Sequence, residues 1–220
     1  MESPVRHVAP APTGRRSAPV LVSRGVRAVI LPATPLLVPG LVPARRPDPL
    51  AAVRDAVAGA LTELVAEPTG GALPLVVAHG PAPRHGPLRP SLAGSGISDR
   101  WLPPGLPAAW GRGGHGPAGT GASVALLALA PVLGERAGDV PTLEVAGPPD
   151  AAAVAALRAA PVLVVAGGGA PGSQDRGPAA LTPGVRAALR EAGVDLAGAR
   201  VLTFPQEDEY LPSAYRVVTA

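Results

Sequence analysis

The sequence predicts an α/β fold, a mainly parallel sheet flanked by helices in a single domain. Three observations predict it. Strand-length apolar runs at 26–32 (VRAVILP), 72–78 (ALPLVVA) and 161–166 (PVLVVA) are continuous rather than alternating, as expected of strands covered on both faces. Between them lie segments with helical spacing of apolar residues, and that alternation places parallel strands in one sheet. Hydrophobic residues make up 47% of the 220 residues but aromatic residues only 2%, so the core must be Val, Leu and Ala packed closely between helix and sheet.

Residues 1–24 are rich in Pro, Ala and Arg without a sustained period, and are expected to form a flexible arm ahead of the domain at 25–220. Arg27–Leu31 gives the first strand. Pro32, Pro35, Pro39 and Pro43 then punctuate the chain and forbid a regular helix. Asp48–Ala66 is the clearest helix: Asp48 is the expected N-cap, Pro49 takes the first position, and Leu50, Val53, Val57, Leu61, Leu64 and Val65 form one apolar stripe. Ala72–Ala78 is the second strand and runs into His79-Gly80-Pro81. The stretch at about 80–117, loaded with Pro and Gly, reads as a long irregular loop, a length that is usually functional or disordered.

A helix is expected over Gly119–Gly134 and a third strand over Thr142–Ala146. Asp150 caps a helix to Ala159, and a fourth strand at Pro161–Ala166 ends in a glycine turn. Thr182 caps a further helix, stopped by Gly193, and strands follow at Ala199–Phe204 and Val217–Thr219. In such sheets ligands sit outside the carboxyl ends of the strands. The candidate site is therefore the rim where 32–35, 79–85, 167–173 and 205–210 converge.

Several function classes are disfavoured. There is no cysteine, which removes disulfides and thiolate metal sites and is compatible with a reducing cytoplasm. The net charge of +3 comes from scattered arginines, with no basic stripe and no interleaved aromatics, so no nucleic-acid partner is expected. No apolar run reaches the roughly 20 residues that span a bilayer, so no membrane partner is expected either. The turn GGGAPG at 167–172 fits the dinucleotide fingerprint in letters, but Pro171 and Pro178 separate it from the next helix, whose N-terminus should hold the phosphates. A plain glycine turn is the preferred reading, with a nucleotide- or phosphate-using transferase as the weaker alternative. Ser91 and Ser173 lack the strand–elbow–helix setting of a hydrolase nucleophile.

The imidazoles and carboxylates near the rim carry the remaining chemistry. His79 follows a buried strand and could bind a divalent cation or move a proton near neutral pH. His85 and His115 lie in the long loop. Glu207 and Glu209 belong to an acidic cluster after the last long strand and could supply a carboxylate ligand, although such runs are more often solvated.

The segment VILPATPLLVPGLV at 29–42 resembles the opening of the class III extradiol ring-cleavage dioxygenase B-subunit-like (LigB-type) family, in its actinobacterial branch. Members begin with a strand, then Pro-His-Pro-Pro and Leu-Leu-Val-Pro. The later order of LPLVVAHGP, a Pro/Gly loop, APVLVVAGGGA and ARVLTF is similar too. The resemblance implies a mononuclear non-heme iron(II) site of two histidines and a carboxylate, with a further histidine assisting proton transfer while O2 opens a catechol-type ring. Carried over, His79 would be a metal ligand and Glu207 or Glu209 the carboxylate, while His85 and His115, the candidate catalytic histidines, would be recruited as a substitute for the missing ligand. At the first ligand position this chain has Ala33. The expectation is thus a divergent dioxygenase-like protein with weak or no ring-cleaving activity, or a non-catalytic protein on the same fold that binds a small aromatic molecule or acts as a scaffold.

Overall fold

A computed structural model describes residues 27–41, 48–66, 70–103, 110, 116–167, 181–207 and 211–220. The arm at 1–24, the glycine turn beyond Gly167, His115 and Glu209 lie outside the described residues.

Among the described residues seven strands form one sheet: β1 (Arg27–Pro32), β2 (Leu75–His79), β3 (Arg84–Pro87), β4 (Pro141–Val145), β5 (Val162–Gly167), β6 (Arg200–Pro205) and β7 (Ala214–Thr219). Their spatial order is β3-β4-β2-β5-β1-β7-β6. The inner four, β4-β2-β5-β1, are parallel, while β3 runs antiparallel to β4, β7 to β1 and β6 to β7. The fold is therefore α/β in a single domain, with a parallel centre and antiparallel margins. β5 lies at the middle, paired with β1 and β2, and all six of its residues are buried. That is why its sequence is a continuous apolar run.

Four helices of the described residues cover the two faces: α1 (Ala51–Ala66), α2 (Thr120–Leu133), α3 (Ala151–Ala159) and α4 (Pro183–Glu191). The pleat divides the strand side chains between two cores. Val29, Leu31, Val76, Ala78, Val162 and Val164 join α1 and α2 on one face. Ala28, Ile30, Val77, Leu143, Val145 and Val165 join α3 and α4 on the other. α2 is apolar nearly all round and buried accordingly, with Leu126 and Leu129 fully enclosed. No helix of the described residues is long and apolar enough to cross a membrane.

The helix ends follow from local chemistry. Asp150 Oδ1 accepts from the Ala153 N–H at 2.8 Å and Thr182 Oγ1 from the Val185 N–H at 3.4 Å, so both predicted caps form. Asp48 acts differently from the expectation. Its carboxylate accepts from the Leu50 N–H at 3.0 Å in a turn that precedes the helix, which starts at Ala51. It also pairs with Arg54, whose Nη1 donates to the Leu36 carbonyl at 3.0 Å and ties the start of α1 to the chain leaving β1.

The described part of the stretch after β2, at 80–103, is more regular than its Pro and Gly content suggests. It contains β3, in register with β4 from Arg84↔Glu144 to Pro87↔Pro141, and 3-10 turns at Ala93–Ser95 and Asp99–Trp101. A polar knot holds these turns. Asp99 accepts from Arg89 Nη1 and from Ser91 Oγ, both at 2.8 Å, and Ser123 Oγ of α2 accepts from the Ser91 N–H at 2.9 Å and donates to the Ser91 carbonyl at 2.8 Å.

Burial by itself would raise the pKa of Asp99, but the hydrogen bonds from Arg89 and Ser91 and the Arg89 charge outweigh it and hold the carboxyl below its ordinary value. The knot's contribution is accordingly complete above the ordinary carboxylate range and is lost as pH falls through the lowered folded-state value. Urea unfolding at neutral and acidic pH should show a larger acid-induced loss of stability for the native chain than for Asp99→Asn, and equal losses would remove Asp99 from this role.

Candidate functional site

Three chain segments meet at the carboxyl rim of the parallel strands. The first is the exit of β1, held by the Ala33 N–H donating to the Gly167 carbonyl at 2.7 Å. Thr34 then caps a 3-10 turn at Pro35–Leu37, its Oγ1 accepting from the Leu36 N–H at 3.3 Å. Tyr215 of β7 packs beneath this turn; burial pushes its phenol pKa up and the hydrogen bond with Thr34 partly offsets that. The second segment is His79-Gly80-Pro81, continuing β2 with the Gly80 N–H donating to the Val145 carbonyl at 3.2 Å. The third is the first turn of α2.

α2 descends onto the sheet through small residues. A Cβ placed on Gly121 would meet those of Ala166, Ala33 and Ala78 at 3.4, 3.6 and 3.6 Å, so the helix start rests on three alanines from three neighbouring chain segments. The space left beside this contact is a cavity of about 490 Å3, bounded by Ala33, Pro35, Gly80, Pro81, Ser95, Thr120 and Ala166, with His79 on its border. Its volume is that of a small-molecule pocket. Its walls are mostly apolar or glycine, and Ser95 and Thr120 share a 2.8 Å hydrogen bond at its edge.

The strongest polar feature stands just beside it. Glu144 of β4 is fully buried. Its Oε1 accepts from the Gly119 N–H at 2.6 Å, and its Oε2 accepts from Arg84 Nε at 2.7 Å and also from Arg84 Nη2. The Arg84 side chain keeps 33% of its surface exposed and donates through Nη1 to the Pro117 carbonyl at 2.6 Å. One carboxylate thus joins β4, β3, the 117–119 chain and the positive end of α2. The two glycines around it leave it room, Gly80 with none to spare. A Cβ on Gly80 would lie 2.8 Å from Glu144 Cβ, and one on Gly119 3.1 Å from Oε1.

The sequence-predicted site residues are dispersed. Ala33 lines the cavity. His79 borders it, but His79 pairs with Val145, which belongs to the core of the opposite face, whereas Gly80 is the residue that meets Glu144. The pleat therefore sends the His79 Cβ away from Ala33 and not toward it. His79 is half-buried, and its Nδ1 is enclosed with no hydrogen-bond partner among the described residues. His85 pairs with Leu143 on β3, exposed, and borders a separate small hollow next to α3. Glu207 is exposed and follows β6, which β7 separates from β1. Among the described residues no group of three or more His, Asp or Glu is arranged to hold a metal ion.

Sequence reasoning passed over Glu144 and Arg84. The signal available was a lone carboxylate inside the strand run TLEVA; Arg84, distant in the chain, gave none. No family model, no curated protein and no solved structure matches the chain.

Two substitutions test the construction of the rim. Gly80→Ala forces a methyl group against Glu144 and should cost about 1–3 kcal/mol in denaturant unfolding, the range for overpacking. Arg84→Ala strands a buried carboxylate and should cost about 3–5 kcal/mol. If Arg84→Ala unfolds like the native chain, the ion pair is not the fastening described.

Proposed function

We propose that this chain is a small-molecule-binding protein, divergent from the LigB-type ring-cleavage dioxygenases that its opening segment resembles, and that it holds a compact aromatic ligand in the rim cavity without an iron triad. The observation that supports this reading best is the cavity between Ala33, Gly80 and the start of α2. It lies where open α/β sheets place their ligands, and a methyl group occupies the position at which the resemblance expects a metal-binding imidazole.

The described residues do not fit an iron(II) site of two histidines and a carboxylate. Ala33 has no donor, His79 is on the opposite pleat, and His85 on β3 and Glu207 beyond the end of β6 are away from the cavity lining. Binding by shape and apolar contact needs none of these. An aromatic ring would rest on Ala33, Ala166 and Pro35, and the Ser95–Thr120 pair offers hydroxyls for a polar substituent.

The test uses catechol and benzoate as probes, followed through the backbone amide resonances of 119–121. Saturable shifts are expected, with Ala33→Leu weakening binding by about tenfold or more by filling the space. No shift with any compact aromatic, or unchanged affinity in a folded Ala33→Leu, removes the proposal.

A second reading is iron(II) binding with weak ring-opening chemistry, favoured by one observation: the enclosed Nδ1 of His79, which has no hydrogen-bond partner among the described residues. Anaerobic loading with iron(II) separates the two. Stoichiometric metal that disappears in His79→Ala supports the second reading, and metal at background in both proteins eliminates it.

A further inference from the structure

The two margins of the sheet are unequal. β3 is four residues long and carries Gly86, at φ 131°, and Pro87, which make it a poor template for another strand. β6 is six residues of RVLTFP, and among the described residues no strand pairs with its outer side. Val201 is 49% exposed on it.

The phase of the ladder shows which groups face outward. The Gln206 N–H donates to the Ser213 carbonyl at 2.9 Å, so Gln206, Phe204, Leu202 and Arg200 turn their backbone groups toward β7. Val201, Thr203 and Pro205 turn theirs outward. Pro205 has no N–H, and it occupies a position where none is needed for pairing with β7.

We propose that β6 is a homodimerisation edge on which a second copy of this chain pairs antiparallel about a two-fold axis at Thr203. The edge is its own complement in that register. Each Thr203 N–H meets the Thr203 carbonyl of the other copy, and each Val201 N–H meets the carbonyl of Pro205. Every outward donor of the strand is satisfied, and because Pro205 has no N–H the Val201 carbonyl of each copy is the one outward acceptor left without a partner across the axis. On one face Leu202 lies opposite Phe204, two side chains already half-buried against the α1–α2 core, and their contact extends that core across the axis. Arg200 falls opposite Gln206 and not opposite another arginine. The result is one continuous sheet through both copies.

A single pair of strands covers less than the roughly 1,000 Å2 of a durable interface. The association is therefore reversible and concentration-dependent. Sedimentation velocity over a wide concentration series should show the native chain moving from monomer to dimer. Thr203→Pro removes an outward N–H while leaving every bond to β7, and should raise the dissociation constant by at least about tenfold. Val201→Lys, which places a charge on the pairing edge, should act in the same direction. Amide exchange in the native chain supplies a readout independent of any variant: the Thr203 N–H should slow with concentration while an outward N–H elsewhere does not. A chain that stays monomeric throughout the series, or a dimer untouched by both substitutions with Thr203 exchange independent of concentration, overturns the proposal.

Discussion

A buried carboxylate fixes how this molecule closes over its sheet. Glu144 sits inside a buried strand as its one charged residue, and it can remain there because Arg84, the Gly119 N–H and the start of α2 all converge on it. Breaking such a pair from one side costs far more than the pair contributes over an apolar alternative. Its effect is therefore one of placement. It determines where β3 lies, where the chain turns into α2, and how near Gly80 may approach. The described parts of the Pro- and Gly-rich stretch between β2 and α2 are held because both ends are tied to this group and the turns between them to Asp99 and Ser91.

The cavity is a by-product of the same placement. α2 can press on the sheet only where side chains are small, at Ala33, Ala78 and Ala166 against Gly121. Beyond that seam the strand exits diverge, and space opens at the rim. The alanine at position 33 lets the helix start come down onto the sheet. The same economy of small residues runs through the core, where Val, Leu and Ala fill the volume that larger aromatic side chains fill elsewhere.

The sheet's antiparallel margins give the fold its asymmetry. β7 returns beside β1 and presents β6 as a final strand, with one row of backbone groups used and one row turned outward. The opposite margin is shortened and interrupted by glycine and proline. Edges are where a sheet meets other molecules, and here only one of them has the length and the regularity to do so.

Local pattern was enough for much of the architecture. The apolar runs at β1, β2 and β5, the stripe Val53–Val57–Leu61–Leu64, and the caps at Asp150 and Thr182 are all short-range features, and each became the element it suggested. The order of strands, the antiparallel direction of β3 and β7, and the existence of β3 were not visible, because they depend on contacts between residues far apart in the chain. The candidate site divides the same way. The sequence located it at the strand exits, since that follows from parallel topology alone. Which side chains face one another there was decided by the pleat, which alternates with every residue, and by the burial of Glu144 against Arg84. One residue of register separates Ala78, beneath α2, from His79 on the other side, and a linear reading of letters carries no information about that side until the strand is paired.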